Sequence, residues 1–61
     1  MPFRKLRRRL ERAGWCLKRV RGSHHVFVKT GETPIVLPVH GGKVKAGYER
    51  LINKRLGQGG R

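Results

Sequence analysis

Two histidines stand side by side in the stretch "RGSHHVFV", Arg21 to Val28, between a Gly-Ser bend and a β-branched run. A third, His40, follows in "PVHGG". Imidazole titrates near neutral pH, so it can take a proton in one step and deliver one in another. Cutting an RNA strand without a metal needs both acts, one at the 2′-OH and one at the departing 5′-oxygen. Assistance of this kind contributes about 10²–10⁴-fold. The reaction also needs cations to hold the phosphate and its developing charge, and arginine's planar fork suits that task. Lys18, Arg19 and Arg21 lie on the strand or turn beside the histidine pair. The grouping would suit phosphodiester transfer to a 2′,3′-cyclic phosphate, with one histidine of the pair moving protons; a histidine that simply sits on a wet strand is the alternative. A module that grips RNA or DNA by charge and catalyses nothing would use the same cations.

Other chemistries are short of residues. Cys16, His24, His25 and His40 supply ligand types for zinc, but they lack the paired short spacing of structural sites, and neighbouring strand residues diverge. No metal and no other cofactor is expected. Cys16 reads instead as a small buried apolar residue beside Trp15. The acids are Glu11, Glu32 and Glu49, and there is no Asp. A Ser-His-Asp arrangement, paired-carboxylate hydrolysis and a magnesium cluster therefore lack ligands.

The elements that must position the histidines follow from periodicity. In "PFRKLRRRLERAG", Phe3, Leu6, Leu10 and Ala13 recur on one helical face, with Arg4, Arg7, Arg8 and Arg12 outside. Pro2 is tolerated in the first turn, and Gly14 is a C-terminal stop. Trp15 to Val20 alternates as a strand, "RGS" turns on Gly22, and "HHVFV" is the return strand. "KTGET" is a second turn, and "PIVLPV" is a third strand whose Pro34 and Pro38 belong at strand ends or on an exposed edge. A loop, "HGGK", leads to a second helix over roughly Ala46 to Leu56, with Tyr48, Leu51, Ile52 and Leu56 on its apolar face and Val44 anchoring its approach. Residues 1–57 form one domain, and the glycine-rich end, 58–61, is expected to be a frayed tail. The fold class is α+β in the order α-β-β-β-α: a three-stranded antiparallel sheet with two helices on one face.

On a regular strand His24 shares a side with Val26 and Val28, and His25 with Phe27. Both sets are apolar, so alternation leaves the helix-covered side open. Position favours His24, which sits nearest Gly22 and Ser23, where backbone and base can approach closely. His25 reads as an RNA contact or exposed strand. His40, Lys43 and Lys45 flank the start of the second helix, where phosphate binding is plausible.

Charge restricts the partners. Sixteen Lys+Arg against three Asp+Glu give a formal net charge of +13 on 61 residues. That excess opposes compaction, and a polyanion relieves it. Nucleic acid is the commonest such partner, because each phosphate contact releases counterions. An anionic membrane surface and an acidic protein are the competitors. No apolar stretch approaches the roughly 18–20 residues of a membrane span, and charge interrupts any leader-like segment. A lone cysteine suits a reducing compartment, so the expected location is the cytoplasm.

The run "GWCLKRVRGSHHVFV" followed by "PIVLPVHGGKVKAGYERLINKRLG" resembles the HicA family of toxin ribonucleases from bacterial toxin–antitoxin systems. The resemblance rests on Gly14-Trp15 after helix one, Gly22-Ser23-His24 with an aromatic three residues on, and Pro38-x-His40. A helix that opens at Gly47 and ends near Leu56-Gly57 completes it, and the likeness spans about Leu6 to Gly57. It implies a fold like double-stranded RNA-binding domains, metal-independent cleavage of messenger RNA, and a HicB-like antitoxin that masks the site. The family's catalytic histidine corresponds to His24. Relatives commonly open the second helix with Gly-Thr, whereas this chain has Gly47-Tyr48, so no hydrogen-bonding role is carried to that position.

Overall fold

The computed structural model describes residues 2–59. The order is α1 (Phe3–Arg12), β1 (Cys16–Arg21), β2 (His24–Val28), β3 (Ile35–Pro38) and α2 (Ala46–Gly59). The strands form one antiparallel sheet in the order β1-β2-β3. This is the expected α-β-β-β-α layout.

One core joins the layers. Leu6 and Leu10 of α1 and Ile52 of α2 are buried with Phe27, Ile35 and Leu37, which share one side of the sheet, while Trp15 and Val44 close the edges. Phe3, Ala13, Tyr48 and Leu56 pack around this cluster. Full burial of a Leu, Ile or Phe side chain is worth about 1.5–3 kcal/mol. With so few such side chains, the fold is sensitive to each.

Helix α1 ends where glycine was expected to end it. The Gly14 N–H donates to the Glu11 carbonyl at 3.1 Å and the Trp15 N–H to the Leu10 carbonyl at 2.9 Å, the paired bonds of a Schellman stop. This corrects the expected start of the first strand. The Trp15 N–H is committed to the helix and its indole to the core, so β1 begins at Cys16. Cys16 itself is exposed rather than buried, because its Cα partner is Val28 on the uncovered side of the sheet.

Polar contacts tie α2 down. Arg55 donates through Nη2 to the Thr33 carbonyl at 2.7 Å, lies 3.6 Å from Glu32 Oε1, and holds its guanidinium 5.3 Å from the Trp15 ring centroid. Arg9 donates to the Asn53 side-chain oxygen, linking the two helices. The edge strand β3 carries Pro38 at its end and Pro34 just outside it, as proline's missing donor requires. Helix α2 departs from expectation twice. Leu51 is 42% exposed, since the buried line runs through Tyr48, Ile52 and Leu56 at four-residue spacing and leaves Leu51 to one side. The helix also continues through Gln58 and Gly59, taking the first half of the expected tail, because glycine weakens a helix without ending it. Residues 60 and 61 lie outside the described residues. Among the described residues no helix is long and apolar enough to cross a membrane.

The two sides of α2 should answer mutation differently. Ile52→Ala should lower the unfolding free energy by about 2–5 kcal/mol. Leu51→Ala should change it by less than about 0.5 kcal/mol. Urea denaturation followed by circular dichroism measures both.

Candidate functional site

Phe27 decides which way the histidines point. It is fully buried against the helices, so His25, two residues before it, turns to the same covered side and His24 turns to the open one. His24 is exposed, and His25 is half-buried. The His25 ring packs 4.6 Å from the Phe3 ring between centroids, and its Nδ1 lies 3.2 Å from the Ser23 carbonyl oxygen. The expectation that His25 is exposed strand is therefore corrected: the ring is wedged between sheet and α1. Phe3, expected from its spacing only in the core, is its neighbour.

The cations reach His24's side through an irregularity. The pairing of β1 with β2 runs Leu17↔Phe27 and then Arg19↔Val26, leaving Lys18 as an extra residue in a β-bulge. Strict alternation from Leu17 would place Arg19 and Arg21 on the helix-covered side. The bulge reverses the phase, so Arg19 pairs with Val26 and Arg21 with His24, both on the open side. Lys18, Arg19 and Arg21 are all exposed.

Two tight turns build the rest. Arg21 and His24 close a two-residue hairpin on Gly22 and Ser23, and Gly22 has φ +60° while Ser23 is not positive. That is the pattern of a II′ turn, which glycine opens without steric cost. The Ser23 carbonyl also accepts the Val39 N–H at 2.7 Å, stitching the hairpin to the end of β3. Beyond it, His40 and Lys43 exchange both backbone hydrogen bonds at 3.0 Å. Gly41 and Gly42 lie between them with φ +58° and +75°, the double positive φ of a I′ turn.

Next to His24 lies a groove. Pro38, the Cα partner of His24, forms one wall with His40, Lys43, Lys45, Ala46 and Tyr48, and the concavity measures about 390 Å³. Buried Val44 lies at its base. Pro38 and Tyr48 line the groove as well. Spacing predicts the first as a strand end within Pro38-x-His40 and the second on the apolar face of helix two, but not their meeting at one groove, which depends on strand pairing and on the start of α2. His40, Lys43 and Lys45 are exposed in the groove, while Lys18, Arg19 and Arg21 stand across the sheet from it. In the sheet order His24, on the central strand, falls between β1, which carries Lys18, Arg19 and Arg21, and β3, whose Pro38 borders the groove.

Among the described residues no carboxylate joins these cations. Glu11 pairs with Arg7 at 3.0 Å, Glu32 lies beside Arg55, and Glu49 is in the first turn of α2 but not in the groove lining. The surface around His24 is thus positive without internal compensation. Among the described residues no three His, Cys, Asp or Glu side chains gather as a metal site requires.

A family model described as HicA toxin of bacterial toxin-antitoxin matches residues 3–58 of the chain. Comparisons with curated proteins and with solved structures return no match.

The difference in burial should be readable chemically. Diethylpyrocarbonate should acylate His24 and His40 first and His25 more slowly, as peptide mapping by mass spectrometry would show. Phe3→Ala should bring His25 up to the rate of the others. Equal rates in the unaltered chain would contradict the wedge between α1 and the sheet.

Proposed function

Because the chain belongs to the HicA toxin family of bacterial toxin–antitoxin systems, we propose that it acts as a metal-independent endoribonuclease on messenger RNA, with His24 as its acid–base group. One observation carries this reading: an exposed imidazole stands on the open sheet face, in strand order between Arg19 and Arg21 of β1 and β3, whose Pro38 borders the His40–Lys43–Lys45 groove. In the reaction the ribose 2′-oxygen attacks the neighbouring phosphorus as its proton leaves. A bond forms from 2′-oxygen to phosphorus, the bond to the 5′-oxygen breaks, and the departing oxygen takes up a proton. The products are a 2′,3′-cyclic phosphate and a 5′-hydroxyl. His24 handles the proton at one of these two oxygens. Arg19 and Arg21 face the same open side and stabilise charge gathering on the phosphate. Lys18, Gly22 and Ser23 border that face. His40, Lys43 and Lys45 hold the strand beyond it, and the half-buried His25 supports the hairpin more than it meets RNA.

Charge also supports the partner. A HicB-like antitoxin that presents carboxylates to this acid-free surface would compete with RNA and mask His24. Binding only the folded toxin would stabilise it by linkage. The work is cytoplasmic, where Cys16 stays reduced.

Incubation of pure protein with a transcript in EDTA tests the reading. Cleavage should proceed, and His24→Ala should slow it by about 10²–10⁴-fold while leaving most RNA affinity intact. Equal cutting without the ring, or a requirement for added metal, would overturn the assignment. RNA binding with no cleavage by the unaltered chain would favour a non-catalytic module of the same fold. A saturating antitoxin should raise the thermal unfolding midpoint in calorimetry, and an unchanged midpoint would count against masking by tight binding.

A further inference from the structure

The outer side of α1 has no part in the His24 site, and it is the most basic element of the molecule. Within its ten residues stand Arg4, Lys5, Arg7, Arg8, Arg9 and Arg12 against one acid, Glu11. Arg7 is paired with Glu11, and Arg9 is bound to Asn53. Arg4, Lys5, Arg8 and Arg12 are exposed and, among the described residues, make no ion pair or side-chain hydrogen bond. Arg4, Arg8 and Arg12 recur every four residues. They form one rib with steps of about 6 Å along the helix axis, flanked by Lys5. Like charges at that spacing oppose the helix that carries them, and the rib adds no core packing in return.

Its position gives the rib a role. Pro2 bridges to Lys43, and the Phe3 N–H donates to the Gly42 carbonyl at 2.9 Å. The rib therefore begins at the turn whose Lys43 walls the groove beside His24. Pro2, Arg4, Lys5 and Arg8 line a second concavity of about 260 Å³ at that junction. Groove and rib make one basic track. The rib presents arginine and lysine alone, without the apolar or aromatic side chains that fill the buried core of a protein interface alongside arginine. Repeated unpaired cations without an anchor are what a phosphate backbone takes.

We infer that the α1 rib is a second RNA-binding surface, which holds phosphates of the single strand flanking the scissile bond and so makes cleavage depend on RNA length. The inference rests on the ribonuclease reading of the His24 site. An RNA that reaches only the groove meets the catalytic imidazole but not the rib. A longer one meets both.

The test uses two single-stranded RNAs with one central sequence, of about 6 and about 20 nucleotides. Their affinities are measured on the full chain carrying His24→Ala, so that neither is cut. Adding Arg4→Gln, Lys5→Gln, Arg8→Gln and Arg12→Gln should weaken the longer RNA by about tenfold or more and leave the shorter one within about twofold. The slope of log affinity against log salt for the longer RNA should fall by up to about 3, at roughly 0.7 for each phosphate that no longer meets a cation. Arg4→Lys, Arg8→Lys and Arg12→Lys keep the charge and should keep the affinity. Unchanged binding of the longer RNA, or equal weakening on both lengths, would overturn the inference. So would a neutralised rib that holds RNA normally but no longer binds an acidic protein partner. If the unaltered chain neither binds nor cuts either RNA, the failure belongs to the ribonuclease reading itself.

Discussion

Burial of Phe27 between the helices and the sheet is the constraint from which the site follows. Its ring lies fully out of water against a core that includes Leu6, Leu10, Leu37 and Ile52. Side chains alternate along a strand, and shifting β2 by one residue would expose Phe27 and bury His24. Val26 and Val28 would turn inward with His24, but neither fills the volume of the Phe27 ring. The apolar term that holds the fold together is therefore also what presents His24 to solvent.

Cations then have to be brought to that imidazole, and the backbone does it by breaking regularity. The extra residue at Lys18 changes the phase of β1 halfway along. Leu17 can face the helices while Arg19 and Arg21 face the open side, an arrangement that a regular strand forbids. The Ser23–Val39 and His40–Lys43 hydrogen bonds hold the hairpin and the groove together at one end of the sheet. The proposed proton transfer and phosphate binding would thus depend on short-range backbone geometry more than on contacts among the candidate site's side chains.

The uncompensated charge has the opposite bearing on stability. With three acids among 61 residues and two of them engaged by Arg7 and Arg55, the basic surfaces repel themselves in the free chain. Exposed ion pairs of this kind contribute little, at most about 1 kcal/mol each. The restraint on that repulsion comes from the core, from the Schellman stop at Gly14 and from the Arg55 clamp on Trp15 and the Thr33 carbonyl. A family partnership with an antitoxin fits a chain that gains from having an anionic surface laid against it.

Sequence alone determined the element order, the apolar face of α1, the glycine that ends it, the turn at Gly22 and the proline-limited third strand. Each is local: helical spacing, positive φ and a missing N–H act within a few residues. Composition likewise determined the basic character and the shortage of carboxylates. Tertiary structure decided the rest. The side of His24 followed from which apolar set, Phe27 or the valines, the helices cover. The exposure of Cys16 and Leu51 followed from pairing and from helix rotation, and the wedge of His25 against Phe3 joins residues far apart in the chain. The Lys18 bulge has no signature in "CLKRVR", because it arises from aligning two strands whose buried residues are out of phase. Spacing records what neighbours along the chain require, whereas facing, pairing and phase are settled only when separate elements compete for one core.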